Sequence, residues 1–277
     1  MSGLAPPVLD ASIEDNTLEY WRTLCRVIPS ARLHDGPDGA WFHTEIPFFP
    51  FNQVLRVAYA DDQASPAIDD LLRAFRAPGL PFCWNVGPAS RPSDLSARIQ
   101  ALGPDRTGGM PAMAIDLSSA LDSPALSGGA VIERVGDMPA LDRWAAAYRD
   151  GFGLPPGFVA ALHNAYATIG FDSKAPFRHY VALLRGKPVA SATMFCHDGP
   201  SPERSRRVAS LWHITTLPDA RGQGIGAAMT VVPLQDAREL GCRTGILYAS
   251  EMGTPLYQRL GFRELFRLEQ FGWGEGL

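Results

Sequence analysis

The chain has 277 residues, room for one large domain or two ordinary ones. Apolar residues make up 46% and charged residues 19%, which excludes a disordered polymer and allows sizeable cores. A net charge of −4 without a basic stripe argues against nucleic acid, and no run of ~18 apolar residues offers a membrane span.

In chain order, residues 1–12 read as a loose tail. Residues 13–28 carry Leu18, Trp21, Leu24, Cys25 and Ile28 at helical spacing. Residues 40–46 and 53–60 read as strands. A helix follows over 66–77, with Ser65 as its cap and Pro66 in its first turn. Strand 81–86, helix 93–102 and strand 110–117 come next. Leu121 to Gly129 is small, polar and turn-forming, and reads as a linker. Beyond it come a strand at 131–135, helices at 139–151 and 156–169, and a hairpin of 178–184 with 188–195 about Arg185-Gly186-Lys187. Strand 208–217, a glycine-rich turn and a helix to Leu240 follow. Pro233 should kink that helix. Strand 244–249, helix 254–260 and strand 263–271 complete the pattern.

The cysteines are Cys25, Cys83, Cys196 and Cys242, none in Cys-x-x-Cys spacing. That predicts buried or unpaired thiols in a reducing cytoplasm, with no zinc or redox site. Without an apolar leader-like stretch after Met1, the expectation is a cytoplasmic protein. The basic cluster Arg204-Ser205-Arg206-Arg207 reads as a solvated loop, or else as a contact for a phosphate or anionic partner.

The most informative stretch is Pro218-Asp219-Ala220-Arg221-Gly222-Gln223-Gly224-Ile225-Gly226-Ala227. Three alternating glycines between a strand and a helix let backbone N–H groups approach an anion closely. The N–H groups that open a helix lack intrahelical partners, and the helix dipole favours negative charge there. Arg221 adds a planar fork of donors suited to phosphate. A Walker loop would need a Lys, and a dinucleotide loop a Gly-x-Gly-x-x-Gly near the start of a βαβ unit. Neither fits. What remains is Arg221-x-x-Gly224-x-Gly226. It resembles the acetyl-CoA pyrophosphate loop of the GCN5-related N-acetyltransferase (GNAT) superfamily.

A second segment strengthens the resemblance. Ser250-Glu251-Met252-Gly253-Thr254-Pro255-Leu256-Tyr257-Gln258-Arg259-Leu260-Gly261-Phe262 is similar to the family's final helix and turn, matching at Leu256, Tyr257, Leu260, Gly261 and Phe262. Ser250 stands where Asn is common and Gly253 where Ala is common. The likeness covers residues 130–271. It implies an α/β (α+β mixed-sheet) fold in which 130–277 is a GNAT acetyl-CoA-binding catalytic domain. The strand and helix order of 1–120 resembles the later half of the same fold without its loop, a degenerate copy joined by the linker 121–129.

The resemblance also implies roles. Arg221, Gly222, Gln223, Gly224, Ile225, Gly226 and Ala227 would hold the pyrophosphate, and Ser250 would stand at a cofactor contact. Thr215 and Leu217 would offer backbone groups to the pantetheine arm, with Thr216 keeping its ladder bonds. Tyr257 would be the general acid for the leaving thiolate, since a phenol of pKa ~10 lies above a thiol. Otherwise it packs its helix to the sheet. His213 is a candidate base with an ordinary pKa of ~6.5, or a satisfied core residue. Glu251 could steer a cationic amine. The expected reaction is direct transfer of an acetyl group from acetyl-CoA to a primary amine of a small molecule or protein, without metal. Two rivals are a non-catalytic acyl-CoA sensor and a transferase of a larger acyl group. The first half could cover the acceptor site, mediate a homodimer or stabilise its neighbour.

Overall fold

The computed structural model describes residues 6–119, 121–122, 124–196 and 208–274. The elements are α1 (Pro6–Cys25), β1 (Arg32–Gly36), β2 (Gly39–His43), β3 (Gln53–Val57), α2 (Asp61–Arg76), β4 (Phe82–Val86), α3 (Leu95–Ala101), β5 (Asp105–Asp116), β6 (Ala130–Arg134), α4 (Met138–Phe152), α5 (Pro156–Ile169), β7 (Phe177–Leu184), β8 (Lys187–Cys196), β9 (Val208–Thr216), α6 (Ile225–Glu239), β10 (Thr244–Tyr248), α7 (Thr254–Arg259) and β11 (Arg263–Trp273). No helix among the described residues is long and apolar enough to cross a membrane.

The chain forms two compact units. One holds Leu4–Ala112 together with Glu264–Leu277, the other Met113–Arg263. The division falls within β5 and at the start of β11, rather than in the 121–129 stretch. In the first unit β1, β2 and β3 are antiparallel neighbours, β3 runs parallel to β4, and β11 lies antiparallel to β4, with Phe82 opposite Trp273. Val54, Val57, Ile68, Leu72, Phe82, Trp84, Ile99 and Phe271 form its core. Three expectations change here. Pro6 to Ser12 belong to α1 rather than to a tail. A strand at Arg32–Gly36 appears that the polar sequence RLHDG does not announce. The second helix begins at Asp61, so Pro66 sits inside it and Ser65 caps nothing. Asp61 and Asp62 suit that end, because carboxylates offset the positive dipole of a helix start.

In the second unit β6, β7, β8 and β9 are antiparallel neighbours, and β10 runs parallel to β9. Helix α4 starts where Asp137 accepts from the Ala140 N–H at 2.8 Å, and stops at Gly153, whose φ of 66° is left-handed. Thr215 touches Gly151 of α4, and its neighbour Thr216 lies beside Gly226 of α6. Successive strand side chains point to opposite faces, so α4 and α6 cover opposite faces of this sheet. Tyr180 and Arg178 both reach Asp236 of α6, at 2.6 and 3.3 Å. Helix α6 runs unbroken through the buried Pro233. The sequence separates Cys196 and Cys242 by 46 positions, yet their Sγ atoms lie 2.8 Å apart. β8 and the turn after α6 bring the two together.

Candidate functional site

The site grows from an irregularity in β9. Ser191 of β8 stands opposite Thr215 and Thr193 opposite Trp212, so His213 and Ile214 together face the single residue Ala192. This is a β-bulge, which bends the strand and re-aims the residues beyond it. His213 takes a φ of 56°, rare for a residue with a side chain, and its carbonyl accepts from the Ser191 hydroxyl at 2.9 Å. On its other side β9 pairs with β10 only from Val208 to Ser210, although it continues to Thr216. Past Ser210 the two parallel strands therefore part.

The bulge reverses the expected phase of the strand's end. The Leu217 N–H donates to the Val189 carbonyl at 2.8 Å. Bonded and unbonded pairs alternate in an antiparallel ladder, so Thr215 shares the inward phase and Thr216 faces away from β8. The expectation that Thr215 and Leu217 present open backbone groups is corrected: the outward position is Thr216. An inserted residue shifts the alternation by one, and no sequence pattern reveals the insertion.

A single 3-10 turn, Pro218–Ala220, leads into the glycine loop. Gly222 and Gly224 have φ of 73° and 79°, left-handed conformations that glycine adopts without a Cβ penalty. Gly224 is the N-cap of α6, and no side chain caps that end. The first intrahelical bond runs from the Ala228 N–H to the Gly224 carbonyl, leaving the N–H groups of Ile225, Gly226 and Ala227 without helix partners. Ile225 is buried and anchors the helix in the core. Exposed Arg221 donates from Nε to the Thr216 carbonyl at 3.1 Å, which holds its guanidinium beside the loop. A Cβ on Gly222 would meet nothing within 4 Å, so the loop has an open side.

Helix α7 approaches the same place. A Cβ on Gly226 would lie 3.5 Å from both Leu256 and the Thr216 hydroxyl. Leu256 thus links α7, the start of α6 and the end of β9. Its neighbour Tyr257 is 8% exposed and packs against Phe262, and burial pushes its phenol up to about 12. Ser250 is engaged locally: its hydroxyl accepts from the Gly253 N–H at 3.1 Å and its carbonyl from the Thr254 N–H, closing the turn that starts α7. Glu251 is exposed on the same turn.

Across the sheet, His213 sits among Trp144 and Tyr148 of α4 and Tyr166 of α5. Its Nε2 lies 3.0 Å from the Tyr166 hydroxyl. Burial in this aromatic nest pulls its pKa down to about 3. The expectation of an imidazole titrating near neutrality is therefore corrected: at pH 7 it is neutral and a weak base. His179, which no motif singles out, is a second member of the cluster. It is 1% exposed, bonds Thr193 through Nδ1 at 2.9 Å, and lies 4.2 Å from the Tyr166 ring centre. Its Nε2 is buried without a partner, and burial, then the nearby His213, takes its pKa to about 3. The Arg204–Arg207 cluster lies outside the described residues, and no metal-holding group occurs among those described.

The elements that carry this geometry also carry the likeness to known proteins. Residues 175–264 match the model of the acetyltransferase (GNAT) domain. A curated relative, mycothiol acetyltransferase of Parafrankia sp. (strain EAN1pec), is 30% identical over 142 residues, 47% of this chain and 40% of that protein. The match thus takes in less than half of the relative's length. A GCN5-related N-acetyltransferase from Kribbella flavida superposes with a TM-score of 0.68 at 17% identity, over 95% of this chain and 96% of that one. A tandem GNAT protein from the clavulanic acid biosynthesis pathway does so at 0.59 and 14%, over 98% and 97%. Likeness over nearly the full length at such low identity speaks of fold. Residues 175–264 are thus similar to an acetyltransferase (GNAT) domain, and the fold of the chain is that seen in GCN5-related N-acetyltransferases.

Proposed function

We propose that the protein transfers an acetyl group from acetyl-CoA to a primary amine. The observation that carries this reading is the parting of β9 from β10 just before the glycine loop. A parted strand leaves backbone groups facing a cleft, where an extended chain bearing amides can pair as a further strand. The loop at its end presents the N–H groups of Ile225, Gly226 and Ala227 with the charge of Arg221, a set that suits a pyrophosphate. These residues, with Gly222, Gln223 and Gly224, would hold the nucleotide end. The outward side of Thr216, in place of Thr215 and Leu217, would take the pantetheine amides. Bound there, acetyl-CoA would supply an activated thioester.

The chain's own residues then have three tasks. An outward N–H of β9 nearer the bulge can donate to an oxygen that gains negative charge. Tyr257 holds its proton firmly at a pKa of about 12, so it stays protonated at working pH and can give a proton to a departing sulfur. His213, neutral and bonded to Tyr166, can align an amine by hydrogen bonding, but it is too weak a base to remove an ammonium proton at pH 7. Deprotonation then falls to solvent, while exposed Glu251 can steer a cationic amine toward the site. The relative named for mycothiol makes a small amine the first acceptor class to try.

Titration calorimetry with acetyl-CoA tests the reading, run beside Gly224→Val/Gly226→Val. The wild type should bind, and the double variant should lose at least tenfold in affinity through strain at Gly224 and crowding of the loop. An unresponsive wild type would overturn the proposal.

A further inference from the structure

The stretch that reads as a linker lies against the glycine loop. The Ser127 N–H donates to the Gln223 carbonyl at 3.3 Å. The Ala125 carbonyl oxygen sits 2.5 Å from where a Cβ on Gly224 would be. Gln223 Oε1 lies 2.8 Å from the corresponding point on Gly128. The stretch is itself tied down: Leu121 and Leu126 pack on the core of this unit, and Gln235 of α6 donates from Nε2 to the Leu121 carbonyl at 2.9 Å.

We propose that residues 124–128 form a strap that sets the phosphate loop, with Ser127 as its positioning residue. The inference rests on the acetyl-CoA reading above. In a planar trans peptide the C=O and N–H point in opposite directions. Holding the Gln223 carbonyl toward Ser127 therefore turns the Gly224 N–H the other way, off the strap. The open side of the turn at Gly222 is where a pyrophosphate can be received. A loop of three glycines is costly to order, because glycine loses more conformational freedom than any other residue. A strap that fixes one peptide plane beforehand removes part of that cost from binding. The strap acts through its backbone, so the identity of the Ser127 side chain is immaterial and the presence of its N–H is not.

Two substitutions at one position separate these roles. Ser127→Pro removes the N–H, and Ser127→Ala keeps it. Calorimetry should show Ser127→Pro raising the Kd for CoA roughly five- to tenfold, the loss of one backbone hydrogen bond, while Ser127→Ala stays within twofold of wild type. Acetyl-pantetheine, which lacks the pyrophosphate, should compete equally well in all three proteins, an outcome that general damage to the fold would not give. Gln235→Ala, which loosens the strap at Leu121 without touching the loop, should raise the Kd for CoA in the same direction by a smaller factor. It carries the test if the proline variant does not fold. Unchanged CoA affinity in Ser127→Pro or, failing that, in Gln235→Ala overturns the strap. Tighter CoA binding on loosening also overturns it, since the stretch would then obstruct the site. A wild type that binds no CoA overturns the acetyl-CoA reading itself.

Discussion

At the scale of single residues, burial decides which titratable groups can act. Tyr257 is buried and His213 is half-buried among aromatic rings, and these surroundings move each away from its charged form: the phenol up to about 12, the imidazole down to about 3. For an acid this is harmless, since the proton stays available. For a base it is disabling. Tyr257→Phe should accordingly lower kcat by ten- to a hundredfold with the KM for acetyl-CoA little changed, measured as CoA release with an accepted amine. An unaltered kcat would return Tyr257 to a packing role. His179 bears on stability. Its folded pKa of about 3 lies below the ordinary ~6.5, so between those values the unfolded chain binds a proton that the folded one refuses. Stability should be full above pH 7 and fall on acidification, by about 2 kcal/mol from this residue between pH 7 and pH 5. Denaturant midpoints at the two pH values, compared with His179→Gln, measure that contribution. An equal fall in the variant would assign it elsewhere.

At the scale of elements, the sequence announces what depends on periodicity and local capping. The helices at 156–169 and 254–260, and the hairpin about Arg185-Gly186-Lys187, emerge close to where their patterns predict. The glycine loop and α7 are legible as motifs, and the structure brings them together through Leu256, Gly226 and Thr216. What the pattern hides is relational. The bulge at His213 and Ile214 changes no residue type, yet it decides which backbone groups of β9 face outward. The cluster of His179, Tyr166 and His213 joins three separate elements, each contributing a residue that alone looks like core. The strap is small and polar enough to pass for a linker, and its role shows only in the Ser127–Gln223 bond. β1 went unread because its burial is slight, so no apolar alternation marks it. Ser65 and Pro66 mislead because they satisfy the local rules of a helix start while lying inside a helix that begins at Asp61.

At the scale of the whole molecule, the chain does not visit its two units in turn. β11 comes last among the described strands, but it pairs with β4 and places Phe271 in the core of the unit formed by Leu4–Ala112. Deleting residues 264–277 should therefore destabilise that unit, although its own first hundred residues are intact. Loss of a buried Phe side chain alone costs about 3–5 kcal/mol. Limited proteolysis would show new cleavage sites between residues 6 and 112, with 113–263 still resistant. Equal resistance in both would mean that β11 is dispensable.

That pairing also dictates an order of assembly during synthesis. While the ribosome has yet to reach residue 264, β4 lacks its β11 partner and the core beneath it lacks Phe271, whereas every described strand of the other unit has already been made. The unit begun first must wait for its own strand β11, leaving an unpaired strand edge open to chaperones or to other nascent chains in the interval.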